Sequence, residues 1–382
     1  MKSVNNKPRF SPSLCVTHSC NLDCIYCYQE HDSKNRMSLK TAKDCIDWIF
    51  NNIPENMSGV EVTFIGGEPL IEFELLKDVY EYTKENYSHH PHIFYATTNG
   101  VLLDDKMKEW FSEHKNEFVL GLSLDGLPEV HNKNRSNSFN KIDIDFFKKT
   151  WPEQGVKMTL SDYSLDNLAS NIIFIHNLGF KQIDGVNLFE GTYDWSDEKY
   201  IRKLIPELKK LVEYYANNNN GESNQMMSRY IDMCEEINRQ RKKWCGIGVG
   251  TIFFDTDGTK LPCPFCTPMT FDKGSLENIL ETDFENNDSF IDDACFEHCY
   301  IFPVCPFCPG ANYLVKKSFK QRDKSKCRVQ KLITLYCADL YAKKIINNKD
   351  AFQEERLYNI ISAIEKIKKY YMPEFKEYWN IM

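Results

Sequence analysis

The sequence has no stretch of about 18 apolar residues, so it offers no membrane-spanning helix. Its first ten residues, Met1 to Phe10, have no apolar core and no secretory signal pattern. It lacks an excess of positive charge: 47 Lys and Arg stand against 55 Asp and Glu, a net charge of −8. That balance provides no footprint for a nucleic-acid backbone, and the mild acidity reads as a solubility feature. No internal repeat or low-complexity tract interrupts the 382 residues, a length that suits about two to three domains. These absences predict a cytoplasmic globular protein with neither a membrane nor a nucleic acid as partner.

What the chain has in excess is cysteine. Fifteen are far more than packing requires, the number is odd, and a reducing cytosol disfavours disulfides. Metal or iron–sulfur ligation is the remaining explanation for most of them. Cys20, Cys24 and Cys27 lie in the run from His18 to Tyr28 with the spacing C-x3-C-x2-C. Three thiolates can hold a [4Fe–4S] cluster and leave one iron without a protein ligand, free to bind a substrate or cofactor. A zinc knuckle or a structural thiol cluster is the alternative. Zinc usually takes four ligands from paired spacings, and a lone triplet with an aromatic, Tyr26, before its last cysteine suits it poorly.

Residues 14 to about 190 alternate between strand and helix patterns. Strands are predicted at Leu14–Thr17, Val60–Ile65, His92–Ala96, Phe118–Leu124, Val156–Leu160 and Gln182–Leu188. Helices are predicted at Ser38–Phe50 with Ser38 as N-cap, Phe73–Tyr87, Asp104–His114, and Leu165–Leu178 stopped by Gly179. Six βα units predict an α/β fold, a parallel sheet curled by right-handed crossovers into a barrel or partial barrel. Ligands then sit at the C-terminal ends of the strands, where the cysteine loop lies. Two further helices are expected at Asp197–Tyr215 and Met226–Lys243. Beyond them comes a cysteine- and proline-rich stretch with a hairpin turning at Asp257-Gly258. Val329–Ala342 and Ala351–Tyr371 close the chain as amphipathic helices. The expected divisions are 11–235 for the barrel, 236–340 for the cysteine-rich domain and 341–382 for a C-terminal helical segment.

Motifs fall at the predicted strand ends. Strand two ends in Gly66-Gly67-Glu68-Pro69, where two glycines allow close backbone approach and a carboxylate can accept from an ammonium group. Strand three ends in Thr97-Thr98-Asn99-Gly100, and strand four in Ser123-Leu124-Asp125-Gly126, with Arg135 ten residues after Asp125. Each alone is an ordinary turn; four in consecutive βα units, the first carrying the triplet, are harder to dismiss.

Over residues 11–190 the chain resembles the radical S-adenosylmethionine (radical SAM) enzymes. The triplet with Tyr26 matches their C-x3-C-x-aromatic-C motif, Gly66–Pro69 their GGEP motif, and Ser123–Gly126 their strand-four serine and aspartate. The resemblance implies a partial (β/α)6 TIM-like barrel in which SAM chelates the open iron. It implies Glu68 with the Gly66–Gly67 backbone at the SAM amino group, Ser123 at the ribose, Arg135 at the carboxylate and Tyr26 beside the adenine; Pro69 and Asp125 complete the matched motifs. Reductive cleavage of SAM then yields a 5′-deoxyadenosyl radical that takes a hydrogen from the substrate. The cofactor carries that chemistry, and the protein orients it and excludes water.

Nine more cysteines lie between Cys245 and Cys337. Two further four-iron clusters need up to eight thiolates, so supply matches demand. Cys245 and Cys263 bracket a G-x4-C motif, followed by Cys295-x3-Cys299-x5-Cys305-x2-Cys308 and Cys327. This resembles the SPASM extension of radical SAM peptide and protein maturases, although x3 and x2 are exchanged in the second part. The resemblance implies an outer auxiliary cluster on Cys295, Cys299, Cys305 and Cys327. It implies an inner one on Cys245, Cys263 and Cys308, whose fourth ligand is Cys266 or a substrate thiolate. The three clusters would draw on an external flavodoxin- or ferredoxin-type electron donor. The bland alternative is a pair of zinc knuckles.

Cys15, Cys45, Cys234 and Cys337 are expected in cores rather than as ligands. His18 either tunes the cluster loop or braces it, and His89, His90 and His92 read as a solvated turn. Asp162, Tyr163, Asn187 and Glu190 are candidates to line a substrate cavity.

The leading expectation is a maturase that builds a thioether or carbon–carbon cross-link in a ribosomally made peptide. Only about ten residues precede the first strand, so leader recognition is expected from a separate protein, from the C-terminal segment, or not at all. An anaerobic sulfatase maturase is the alternative. Those enzymes place an aspartate base after the cysteine that ends G-x4-C, where this chain has Pro264. A small-molecule SPASM dehydrogenase is a third reading. A non-catalytic iron–sulfur or zinc protein is a fourth, opposed by the GGEP motif and the intact triplet.

Overall fold

Alternation of apolar and polar residues builds the central sheet. In Val60–Gly66 the side chains of Val60, Val62 and Phe64 are buried, and in His92–Thr98 those of Phe94, Ala96 and Thr98. Phe64, Phe94 and Phe118 stack across three neighbouring strands at centroid separations of 5.7 Å. The computed structural model describes residues 9–188, 194–218, 220–235, 239–378 and 380. In chain order its strands are β1 (Ser13–Thr17), β2 (Val60–Gly66), β3 (His92–Thr98), β4 (Phe118–Leu122), β5 (Val156–Leu160), β6 (Gln182–Leu188), β7 (Ser223–Asn224), β8 (Phe253–Phe254) and β9 (Lys260–Leu261).

The chain divides into two compact, interleaved units. The first comprises Met1–Ser123, Arg135–Gln154 and Cys245–Asn286. It holds a sheet of order β4-β3-β2-β1-β8-β9, parallel throughout except for the β8–β9 hairpin. Helices follow as read from the sequence. Leu39–Asn51 is capped by Ser38, whose hydroxyl accepts from Thr41 N, and Asp105–Glu113 by Asp104, which accepts from Met107 N. Phe73–Tyr87 forms at the expected bounds. The hairpin also forms where expected, with Gly258 at φ +86°, the left-handed conformation its turn requires. Its partner was not foreseen: β8 pairs parallel to β1, Ser13 opposite Phe253, so the cysteine-rich stretch extends the N-terminal sheet. Cys15 packs there with Phe253, Leu261 and Met269.

The second unit comprises Leu124–Asn134, Gly155–Trp244 and Asn287–Met382. Its sheet, β5-β6-β7, is also parallel. The helix Glu198–Asn217 packs against Leu168–Asn177 and Cys327–Asn347, and Glu354–Tyr371 packs on Cys327–Asn347. Cys234 and Cys337 are buried in this unit and Cys45 in the first, so these thiols are core residues.

Two helices differ from expectation. Leu165–Leu178 is Asp162–Leu165 followed by Leu168–Asn177. Ser161 and Ser164 form a capping box that starts a turn early, and Asn167 then leaves helical φ/ψ before the chain resumes. Met226–Lys243 is not an α-helix among its described residues; only the 3-10 turn Ile231–Cys234 forms. Arg229 is drawn inward and donates to Gln330 O at 3.3 Å and Thr334 Oγ1 at 2.7 Å, so tertiary bonds replace the helical ladder. Among the described residues no helix is long and apolar enough to cross a membrane.

The fold is mixed α/β, with parallel sheets and a C-terminal helical region.

Candidate active site and cysteine clusters

The first unit carries the triplet on the loop that leaves β1. Cys20 and Cys24 are partly exposed and Cys27 is exposed. The segment after β2 holds this loop by backbone bonds, Gly67 N to Thr17 O at 3.1 Å and Glu68 N to Ser19 O at 2.9 Å. A Cβ at Gly67 would stand 2.4 Å from Ser19 O and 2.8 Å from Cys20 Cβ, and one at Gly66 would stand 2.3 Å from Thr17 O. The two glycines thus admit the cysteine loop itself.

Side chains brace the loop from three directions. His18 is buried, with Nε2 at 2.6 Å from Asp255 Oδ1 on the hairpin, while Asn35 Nδ2 donates to its Nδ1 at 3.2 Å. Asn99 Nδ2 donates to Asn21 Oδ1 at 2.8 Å. Tyr28 stacks on Phe265 at 4.6 Å. His18 therefore acts as a brace. His31, which sequence reasoning missed, lies with Nε2 3.4 Å from Cys27 Sγ and Nδ1 3.2 Å from His18 O. Burial raises the Cys27 thiol, but the His31 bond and the Gln29 backbone N–H outweigh it and hold the thiol below its ordinary range. The bond to Cys27 raises His31. The only signal in the sequence was a histidine four residues beyond the third cysteine.

Glu68 is buried at the end of β2. Its Oε1 accepts from Leu70 N at 3.1 Å and Thr98 Oγ1 at 2.8 Å, and its Oε2 from Asn99 N at 2.8 Å. Burial pushes its carboxyl up to about 7 against the pull of these donors. A carboxylate accepts about four bonds, and the described donors leave Oε2 able to take one more, which suits an ammonium group. Pro69 opens the turn Pro69–Glu72 and is buried. Tyr26 is buried, and the Arg135 guanidinium lies 5.4 Å from its ring centroid. Ser136 and Asn137, next to Arg135, adopt φ of 53° and 54°. The Ser136 hydroxyl donates to Asp23 O and accepts from Asp23 N, both at 2.9 Å, which ties Arg135 to the triplet loop. Ser123 donates its N–H to Thr98 O at 3.0 Å. A carboxylate at a braced strand end and a cation tied to the triplet loop suit a zwitterionic amino-acid ligand.

In the hairpin region of the same unit Cys245 is exposed, Cys263 partly exposed and Cys266 buried. Cys263 and Cys266 face each other at 3.6 Å, and the Cys266 bond lowers the Cys263 thiol.

The second unit contains Asp125 and five of the singled-out cysteines. Asp125 is buried; its Oδ1 accepts from Thr159 N at 3.2 Å and its Oδ2 from Asn134 Nδ2 at 3.1 Å, so it fastens the segment after β4 to β5. Cys308 caps the helix Pro309–Lys316, accepting from Ala311 N at 3.5 Å. Cys295, Cys299, Cys305 and Cys327 line one cavity of about 50 Å³ together with Arg322 and Asn312. These four are the cysteines grouped by the SPASM resemblance. Lys324 Nζ lies 2.9 Å from Cys295 Sγ. Tyr371 Oη accepts from Ile301 N at 3.3 Å and stands 3.6 Å from Cys299 Sγ. Burial pushes Cys295 and Cys305 up, and Cys327 up to about 11. Four thiols and surrounding donors around one small space are a donor set that fits an anionic thiolate-ligated iron–sulfur group.

Asp162 is engaged by Lys203 at 2.8 Å and Lys199 at 3.4 Å, and Tyr163 is exposed. Asn187 lies on β6, and Glu190 falls outside the described residues.

Residues 14–143 match the model of the Radical SAM superfamily. These residues carry a radical SAM domain. The chain is similar to the cysteine-type anaerobic sulfatase-maturating enzyme of Clostridium perfringens (strain 13 / Type A), 28% identical over 294 residues, 70% of this chain and 76% of that one. It is similar also to the antilisterial bacteriocin subtilosin biosynthesis protein AlbA of Bacillus subtilis (strain 168), 24% identical over 71% of this chain and 57% of that one. Among solved structures, native anSMEcpe with bound AdoMet and Cp18Cys peptide shares the fold, with a TM-score of 0.64 at 20% identity over 94% of this chain and 100% of that one.

Proposed function

We propose that this chain is a SAM-dependent maturase that modifies a residue of a ribosomally made peptide, with a thioether or carbon–carbon cross-link as product. The observation that carries the reading is the braced triplet loop, its three cysteines accessible beside buried Glu68 and Arg135. When bound, a [4Fe–4S] cluster on Cys20, Cys24 and Cys27 with SAM would supply reductive cleavage and a hydrogen-abstracting radical. Glu68 would accept the SAM ammonium and Arg135 would face its carboxylate. Tyr26 would border the adenine and Ser123 the ribose, while the Gly66–Pro69 segment holds the loop in register. In this reading residues 11–235 generate the radical, 236–340 hold two auxiliary clusters, and 341–382 close the second unit. Cys295, Cys299, Cys305 and Cys327 serve the outer cluster; Cys245, Cys263 and Cys308, with Cys266 or a substrate thiolate, serve the inner one. The protein works in the cytoplasm with a flavodoxin- or ferredoxin-type donor.

A thioether balances as follows. The substrate carbon loses a hydrogen atom, the thiol loses a proton, one electron leaves toward the clusters, and a C–S bond forms. A second reading, oxidation of a cysteine to formylglycine, is favoured by the 28% identity to the sulfatase-maturating enzyme. It needs a base, and Pro264 cannot be one at the position after Cys263.

The test is anaerobic. Reconstituted protein with dithionite and SAM is expected to yield 5′-deoxyadenosine. Co-expression with a cysteine-containing peptide encoded beside the gene is expected to remove two hydrogens and protect one cysteine from alkylation. An unmodified peptide alongside formylglycine in a sulfatase-type peptide would establish the second reading. Zinc in place of iron and sulfide, with no 5′-deoxyadenosine, would reject both.

A further inference from the structure

Arg322 is 7% exposed and Asn312 is 2% exposed, and both line the four-cysteine cavity of the second unit. Among the described residues, Arg322 Nε and Nη2 and Asn312 Nδ2 have no hydrogen-bond partner. The Asn312 amide is oriented by Asp323 N, which donates to its Oδ1 at 3.2 Å and so leaves the Nδ2 side to face elsewhere. The Arg322 guanidinium is fixed between aromatic rings, 3.8 Å from the centroid of Phe307 and 4.7 Å from that of Phe302. Buried donors without partners are rare in folded proteins, and here three belong to two residues that line a space with four thiols.

We infer that Arg322 and Asn312 are positioning residues whose N–H groups bind the sulfur atoms of the group held by Cys295, Cys299, Cys305 and Cys327. Their donation raises its reduction potential. This rests on the reading of that cavity as an iron–sulfur site. A thiolate-ligated cluster is an anion, and reduction adds one more negative charge. Hydrogen bonds to sulfur and a fixed guanidinium stabilise the reduced state more than the oxidised one. Rigid stacking makes the geometry costly to imitate with lysine, whose ammonium is a mobile point charge.

The experiment uses the full chain, reconstituted anaerobically, with iron and sulfide counted and potentials read by EPR-monitored titration. The outer signal is the one lost, with its iron, in Cys299→Ala. Arg322→Met is expected to shift the oxidised-to-reduced ratio of that signal at least tenfold toward oxidised at a fixed potential, which is about 59 mV for one electron. Asn312→Leu is expected to shift it about threefold, and Arg322→Lys to fall between wild type and Arg322→Met. Exchangeable-proton couplings in ENDOR spectra of the reduced cluster should weaken in Arg322→Met and persist in Arg322→Lys. Should Arg322→Met fail to fold, Asn312→Leu and Arg322→Lys still decide. Full iron content with an unmoved potential and unchanged couplings in the folded variants overturns the inference while leaving the cluster reading intact. If Cys299→Ala loses neither iron nor a signal, the cluster reading itself is wrong and the inference goes with it.

Discussion

The two cysteine regions solve opposite problems. In the first unit three thiols are strung along one loop, accessible, and held by backbone bonds to Gly67 and Glu68 and by His18, Asn99 and His31. In the second unit four thiols from separate turns and a helix start close around a small space furnished with Lys324, Tyr371, Arg322 and Asn312. A site that must admit a ligand keeps its metal-binding atoms exposed and puts its rigidity in the chain behind them. A site that only exchanges electrons can gather its ligands from several elements and surround them with donors. Cysteine count alone would not separate these roles; the groups around each sulfur do.

The largest effect that contrast predicts is catalytic. Cys24→Ala should lower 5′-deoxyadenosine formation by more than about a thousandfold, since no second route to reductive cleavage is provided. Iron on the second unit should stay. Cys299→Ala should do the reverse, losing outer iron yet still cleaving SAM without peptide. Iron and sulfide analysis with chromatography of the SAM products checks both arms. Equal loss of cleavage in the two variants would erase the distinction.

Next comes the rigidity behind the loop. Gly67→Ala would drive a Cβ to 2.4 Å from Ser19 O, a backbone atom fixed by its own bond to Glu68 N. Overpacking of that severity should cost about 3 kcal/mol or more, read as a lower urea midpoint of the metal-free protein. Triplet iron should be lost while cavity iron persists. A variant as stable as wild type would show that the loop adapts and that its bracing is weaker than the hydrogen bonds suggest.

Much of this was legible in the chain. Strand alternation in Val60–Gly66 and His92–Thr98, the caps at Ser38 and Asp104, and the Asp257-Gly258 turn are local patterns, and the structure follows them. Pairing between β1 and β8 was not legible, because nothing local says which distant strand a two-residue segment will join. Met226–Lys243 reads as helix on propensity, yet the bonds that draw Arg229 inward lie a hundred residues away. Cys295, Cys299, Cys305 and Cys327 could be grouped by the SPASM resemblance. His31, Arg322 and Asn312 could not be, since a lone histidine, arginine or asparagine acquires its meaning only from what the fold sets beside it.

The smallest expected effect concerns pH, and it isolates the open site. Burial raises the Glu68 carboxyl from 4.5 to about 7 in the folded protein. Between those values the native state holds a proton that the unfolded chain has released. The slope of stability with pH follows protons bound in the unfolded state minus those in the native one, so it is negative there. The contribution is complete below pH 4.5 and is lost as pH rises through 7, by up to about 3 kcal/mol. In the closed cavity Cys327 is raised from 9.0 to about 11, so its loss begins only in alkali. Urea unfolding of the metal-free protein at pH 5 and pH 8 should therefore report on Glu68 and not on the cavity thiols. Glu68→Gln should flatten that difference. It should also be less stable than wild type at pH 5, because one amide oxygen cannot accept from Leu70, Thr98 and Asn99 together. Parallel pH profiles for the two proteins would mean that Glu68 is ionised throughout, balanced by its three donors and Arg135 alone.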